Sequence, residues 1–339
     1  MAKGRISKPP KQEIPAGALE KEVKDIVLKL VETCEVITDD SDWKQADKEL
    51  LEKLHAIQET LGTGQGNISE EIEAIKKQIA ELKERKPLEV VINLDKQKII
   101  DLGLQHYQFP DLVKMSSTGL NIFLVGPAGS GKTTAAINVA KALGIEFHFT
   151  GAIASEFKLT GFINAAGDIV STEFRKAYEK GGLFLFDEID ASYPQAVLAF
   201  NAALSNNYMD FPDTRVPRHK DFYCIAAANT FGQGADRQYV GRNQLDAASL
   251  DRFVFLEWKY DEKLETELAK NEEWSHYVQQ ARKVVEELKI RHVVSPRASL
   301  HGATLLATGI EREMVEKTCL WKGMDEATID KIKKNMDDE

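Results

Sequence analysis

The stretch Asn121-Ile-Phe-Leu-Val125-Gly126-Pro-Ala-Gly-Ser-Gly-Lys132-Thr133-Thr134 decides the fold. Its first five residues form a short apolar run of the kind that makes a buried strand, and the residues after Thr134 (Ala-Ala-Ile-Asn-Val-Ala) read as a helix. Between them lies the pattern GxxxxGK[ST], in the strand–loop–helix setting that a phosphate cradle requires. Gly126, Gly129 and Gly131 let backbone N–H groups turn inward around a phosphate without Cβ clashes. The helix that begins near Gly131 points its positive end at the same phosphates. Lys132 supplies a mobile point charge for the β- and γ-phosphates, and the Thr133 hydroxyl is a candidate ligand for Mg²⁺. The candidate nucleotide-binding residues are therefore Gly126, Pro127, Ala128, Gly129, Ser130, Gly131, Lys132, Thr133 and Thr134.

A second apolar run, Leu183-Phe-Leu-Phe186, follows Gly181-Gly182 and ends in Asp187-Glu188. An apolar strand ending in two carboxylates puts them at the carboxyl edge of a sheet, where nucleotide sites form. Asp187 is the candidate second metal ligand, through water, and Glu188 the candidate for polarising the attacking water. Asp190, two residues on, reads as a helix cap or a solvated acid. Residues 224–228 and 253–258 look like two further strands, and helical stretches alternate with all four. Such alternation predicts βαβ units feeding a parallel sheet covered on both faces, an α/β fold of the P-loop NTPase kind.

The chain has 339 residues, enough for about two domains of roughly 150 residues each. Lys and Arg number 44 against 54 Asp and Glu, a net charge of −10. That balance argues against wrapping nucleic acid over the whole surface, yet leaves room for one local basic path. No apolar run approaches the ~18 residues of a membrane span. The first eleven residues carry four basic residues and two prolines without an apolar h-region, so no secretory signal is expected. Cys34, Cys224 and Cys319 are far apart and odd in number. Neither a disulfide framework nor a zinc site is expected, and a reducing, cytoplasmic setting fits.

Residues 1–16, rich in Lys, Pro and Gly, read as a disordered arm. Apolar positions then recur at helical spacing, first Leu19, Val23, Ile26, Val27, Leu30 and Val31, then Leu50, Leu51, Leu54, Ile57 and Leu61. After a break at 62–67, Ile68, Ile72, Ile75, Ile79 and Leu82 give about two heptads, too few for a long coiled coil. Residues 17–86 are thus a helical appendage, packed on itself or a partner, or else ordinary amphipathic helices docked on the main domain. The α/β core is assigned to 87–260, and a smaller helical domain to 261–339.

The loop and the acidic strand tip resemble the Walker A and Walker B motifs of an AAA+ ATPase. The remainder is most similar to the MoxR-type group (relatives named CbbQ, NorQ and CobS), over roughly residues 95–310. On this resemblance Ile225-Ala-Ala-Ala-Asn229-Thr230 is the sensor-1 strand, and Asn229 helps to orient the water. The string Tyr239-Val-Gly-Arg242-Asn-Gln-Leu-Asp-Ala-Ala-Ser-Leu-Asp-Arg252-Phe253 carries the arginine finger, with Arg252 reaching the γ-phosphate of the neighbouring subunit. Ser295-Pro-Arg297-Ala-Ser299 opens the sensor-2 helix of the lid, and Arg297 contacts the phosphates. The residues alone leave other readings open. Arg252 could pair with Asp246 or Asp251, and Arg242 is a second candidate for the in-trans contact. Arg297 could cap its helix, Asn229 could be a turn residue, and His106 could stack on adenine or pack in the core.

Two insertions complete the resemblance, one around the loop 164–168 and one over 207–220, which it implies are hairpins facing a central pore. Arg215, Arg218, His219 and Lys220 make the second basic. The function implied by the resemblance is a ring-forming ATP hydrolase, a homohexamer, that uses Mg²⁺ and ATP turnover to remodel or activate a protein client, such as one bearing a von Willebrand A-type domain. A nucleic-acid motor or restriction-type translocase is the alternative, and a nucleotide-gated assembly scaffold the third. No NKxD-like guanine reader follows the Walker strands, which favours ATP over GTP.

Overall fold

The computed structural model describes residues 88–95 and 98–337. The arm at 1–16 and the whole of the 17–86 appendage read from sequence lie outside the described residues. In chain order come an antiparallel pair, β1 (Leu88–Asp95) and β2 (Lys98–Gln105), helix α1 (Phe109–Ser117) and strand β3 (Ile122–Val125). Helix α2 (Lys132–Leu143) leads to β4 (Phe147–Thr150) and the short α3 (Phe157–Thr160). A small hairpin, β5 (Phe162–Ile163) and β6 (Ile169–Val170), precedes α4 (Glu173–Lys180) and β7 (Gly182–Phe186). Next are α5 (Pro194–Ser205), a second hairpin of β8 (Tyr208–Asp210) and β9 (Arg215–Pro217), and β10 (Phe222–Ala228). The short α6 (Ala247–Leu250) and β11 (Val254–Glu257) close the α/β part.

Five strands pair in the order β11-β3-β10-β7-β4, and every pairing is parallel. Both faces of the sheet are apolar at its centre because β3, β7 and β10 are apolar and buried at odd and even positions alike. Phe123, Phe184 and Phe186 join Phe174 and Phe200 on one side. Ile122, Leu124, Leu183 and Leu185 join Val139 and Trp258 on the other. The four strands expected from sequence are thus present. The fifth, β4, was not foreseen. Its Phe-His-Phe-Thr sequence gives no apolar run, and the ring of buried His148 is held at 2.9 Å by Glu173 of α4. The antiparallel pair β1–β2 has no counterpart in the sequence reading, since no Gly or Pro separates its two strands.

Beyond β11 the described residues are helical: α7 (Glu262–Ala269), α8 (Glu272–Glu287), α9 (Pro296–Ala307), α10 (Arg312–Val315) and α11 (Glu326–Asp337). They pack around their own core of Trp274, Val278, Val285, Leu320 and Trp321. Side-chain caps from Asp261 and Asn271 start α7 and α8 by accepting from the N–H groups of Leu264 and Trp274. Among the described residues no helix is long and apolar enough to cross a membrane.

The strand tips leave no slack beneath the phosphate loop. Trp258 is fully buried, its N–H donates to the Val125 carbonyl at 2.7 Å, and a Cβ on Gly126 would stand 2.0 Å from the Trp258 carbonyl oxygen. Gly126→Ala must therefore push β3 and β11 apart, and should cost about 1–3 kcal/mol or more of stability. Urea unfolding of the two chains reads this directly; an unchanged midpoint would show that the tips tolerate the methyl group.

Candidate active site

The phosphate loop is braced from outside. Trp258 Nε1 donates to the Ser130 carbonyl at 3.0 Å, and the Tyr260 hydroxyl donates to the Ala128 carbonyl at 2.8 Å. The Ala128 N–H donates to the Tyr239 hydroxyl at 2.9 Å. Gly129 and Gly131 take φ of 81° and 89°, the left-handed region that favours glycine, and Gly131 caps α2. A Cβ on Gly129 would meet the Ser295 side chain at 3.0 Å, so the start of α9 lies against the loop. Pro127, Ser130 and Thr133 are half-buried, and Thr134 is exposed.

Lys132 is buried and donates three hydrogen bonds, to the carbonyls of Gly126 (2.7 Å) and Pro127 (3.0 Å) and to Asn229 Oδ1 (3.0 Å). Burial pulls its pKa down to about 8, opposed by the carboxylates of Asp187 and Asp190. The Thr133 hydroxyl donates to Asp187 Oδ2 at 2.6 Å. Two hard oxygen donors therefore meet at the mouth of the loop, a donor set suited to Mg²⁺ completed by water and phosphate oxygens. Glu188 is exposed, and its backbone sits at φ 52°, rare for a residue with a side chain. Its N–H donates to Asp187 Oδ1 at 3.0 Å.

Asp190 departs from the sequence reading. It is neither a cap nor solvated, but has no exposed surface. Its Oδ2 accepts from the N–H groups of Asn229 (3.2 Å) and Thr230 (3.1 Å) and from the Thr230 hydroxyl (2.9 Å). Its Oδ1 accepts from Arg242 Nη1 at 3.2 Å. A carboxylate can be buried only with such partners, so Asp190 locks the tip of β10 to the turn after β7. Tyr239, Trp258 and Tyr260 were also missed, and only the last two offered a signal, as aromatics just beyond a strand.

The three arginines have different surroundings. Arg242, read as a candidate for a contact in trans, is turned inward: it pairs with Asp190 and, at 3.4 Å, with Glu188 Oε1 of its own chain. Arg252 is exposed, and its guanidinium donates to Ser205 Oγ and the Ala248 carbonyl, not to Asp246 or Asp251. Arg297 is exposed on the first turn of α9 and lines a cavity of about 230 Å³ with Gly129, Thr134, Gln105 and His106. His106 stacks on Trp258 with ring centroids 4.0 Å apart. Its Nδ1 accepts from the Gln108 N–H, and its Nε2 lies 2.9 Å from the Lys259 carbonyl. Both nitrogens are engaged, so the ring forms part of the cavity floor and has no hydrogen bond to spare for a base.

The insertions at 164–168 and 207–220 are hairpins, as expected. The basic residues of the second are largely neutralised. Arg215 forms paired hydrogen bonds to Asp210 and stacks on Tyr208, while Arg218 lies over Phe222 and Lys220 is 3.8 Å from Asp221. The first hairpin instead exposes Phe162, Ile163, Ile169 and Val170.

Residues 121–253 match the profile of the family described as AAA domain (dynein-related subfamily). No curated protein matches the chain. Among solved structures, it is similar to a RuvB variant from Thermotoga maritima, at 17% identity and a TM-score of 0.42, over 62% of this chain and 66% of that one. The chain thus spans just under two thirds of that structure. Another Thermotoga maritima RuvB, described as a Holliday junction branch migration motor, gives 14% identity and a TM-score of 0.41 over 66% of this chain and 73% of that one. NtrX from Brucella abortus gives 18% and 0.40, over 75% of this chain and 56% of that one. The parallel sheet with its phosphate loop and the match over 121–253 both point to ATPase chemistry in that stretch.

Proposed function

We propose that the chain works as a ring, a hexamer by resemblance to MoxR-type enzymes, and uses ATP turnover to remodel or activate a protein client in the cytoplasm. The observation that carries the catalytic part is the meeting of Thr133 with Asp187 and of Lys132 with Asn229 at the ends of adjacent strands. Triphosphate lies along the loop from Gly126 to Thr134, with Lys132 on its β- and γ-phosphates and the base in the cavity beside His106. Thr133 and Asp187 would hold Mg²⁺, which when bound neutralises charge on the phosphate oxygens. Glu188 takes the proton of the attacking water, and Asn229 helps to orient that water. Arg252 of one subunit reaches the γ-phosphate held by the next, and Arg297 approaches the phosphates from the helical lid, residues 261–339.

A protein client is favoured over nucleic acid by the hairpins. The basic one pairs Arg215 with Asp210 and Lys220 with Asp221 and lays Arg218 over Phe222, whereas the other presents apolar side chains that suit a polypeptide. The alternative of a nucleic-acid motor predicts stimulation of ATP hydrolysis by added DNA or RNA. The client reading predicts no change in phosphate release with either.

Glu188→Gln should keep ATP affinity within a few-fold while turnover falls by about 10²–10⁴-fold, the usual worth of a general base. Calorimetry and phosphate release measure the two separately, and full activity in that variant would remove the assignment. Lys132 gives a pH prediction. Phosphate favours its charged form, so ATP affinity should be flat up to about pH 8, where the free group titrates. Above that pH affinity should weaken by up to about tenfold per unit as binding must take up a proton. Lys132→Arg, which stays charged, should lose this slope; a slope that persists would place the titrating group elsewhere.

A further inference from the structure

Arg242 lies in a segment pinned at both ends. Three residues before it, the Tyr239 hydroxyl takes the Ala128 N–H of the phosphate loop. One residue after it, the Asn243 N–H donates to the Asp190 carbonyl at 2.6 Å, and its side chain donates to the Ser192 carbonyl at 2.9 Å. The Arg242 side chain is 12% exposed and bridges two carboxylates of its own chain, buried Asp190 and half-open Glu188. A guanidinium so placed cannot also project into a neighbouring subunit.

We infer that Arg242 is a positioning residue that acts in cis. It holds one oxygen of the Glu188 carboxylate and leaves the other free to accept the proton of the attacking water. The chain of contacts runs from the tip of β10 through Asp190 to Arg242 and then to Glu188, so the base takes its direction from a buried and fully engaged anchor. A base oriented by a third group is the general logic of such sites. Because Glu188 itself is exposed, little else holds its side chain. The inference rests on the reading of Glu188 as the residue that acts on water.

The test compares Arg242→Ala and Arg242→Lys with the unaltered chain for kcat and for ATP affinity by calorimetry. Misdirecting the base should lower kcat by roughly 10²-fold in Arg242→Ala, with ATP affinity kept within a few-fold and partial recovery in Arg242→Lys. Loss of affinity in step with kcat would mean that Arg242 merely holds the site together, and an unchanged or raised kcat would mean that it does not direct the base; either overturns the proposal. Should Arg242→Ala fail to fold, Arg242→Lys decides alone: a lowered kcat at kept affinity supports the proposal, and unaltered kcat overturns it. Subunit mixing separates cis from trans. Lys132→Ala subunits have a dead loop but an intact Arg242 and Arg252, and should restore activity to Arg252→Ala partners while leaving Arg242→Ala partners inactive. Rescue of Arg242→Ala would overturn the proposal. Failure to rescue Arg252→Ala would count against the shared ring site, while the kcat and affinity comparison would still judge Arg242.

Discussion

A buried ammonium keeps its charge only if its hydrogens find acceptors, and the geometry around Lys132 follows from that constraint. Two of its hydrogens go to carbonyls of its own loop and the third to Asn229 at the end of β10. The loop is thereby tied to the neighbouring strand. Register does the rest. Val125 of β3 pairs with Ala228 of β10, and Phe186 of β7 pairs with Ala226. The three strands therefore end close together, and the first polar residues after β7 and β10 are Asp187 and Asn229. Triphosphate bound there would compete with Pro127 and Asn229 for the same ammonium, which couples occupancy of the loop to the strand tip.

Charge is distributed unevenly around this point. Asp187, Glu188, Asp190, Lys132 and Arg242 form a connected group in which each acid has a donor. Arg252 and Arg297 lie outside it, exposed and with no carboxylate partner among the described residues. In a chain of net charge −10 that contrast is informative. These are the two cations which the proposed mechanism reserves for phosphate, one on the next subunit and one from the helical end.

Much of this is legible in the sequence. Apolar runs mark the four strands, because buried parallel strands must be apolar on both faces, and the Gly-rich and acidic ends of two of them mark the loop and the strand tip. Features that depend on distant partners were not legible. Nothing local marks Asp190 as buried; its partners Asn229 and Thr230 come from another strand, and without Asp190 the inward turn of Arg242 could not be foreseen either. The basic hairpin shows the same limit. Asp210 and Arg215 are a cross-strand pair only once the register of β8 and β9 is known, so the partial neutralisation of this basic hairpin is not legible in its sequence. Strand β4 escaped because burial of His148 depends on Glu173 in the following helix.

The claim that triphosphate binds against Lys132 is tested most directly by thermal unfolding with and without Mg²⁺ and ATP. A ligand at a hundred times its dissociation constant stabilises the folded chain by about 2.7 kcal/mol, so the unaltered protein should melt several degrees higher with nucleotide. Lys132→Ala should fold and yet gain little from the same addition. An equal rise in both chains would put the nucleotide somewhere other than this loop and contradict the account.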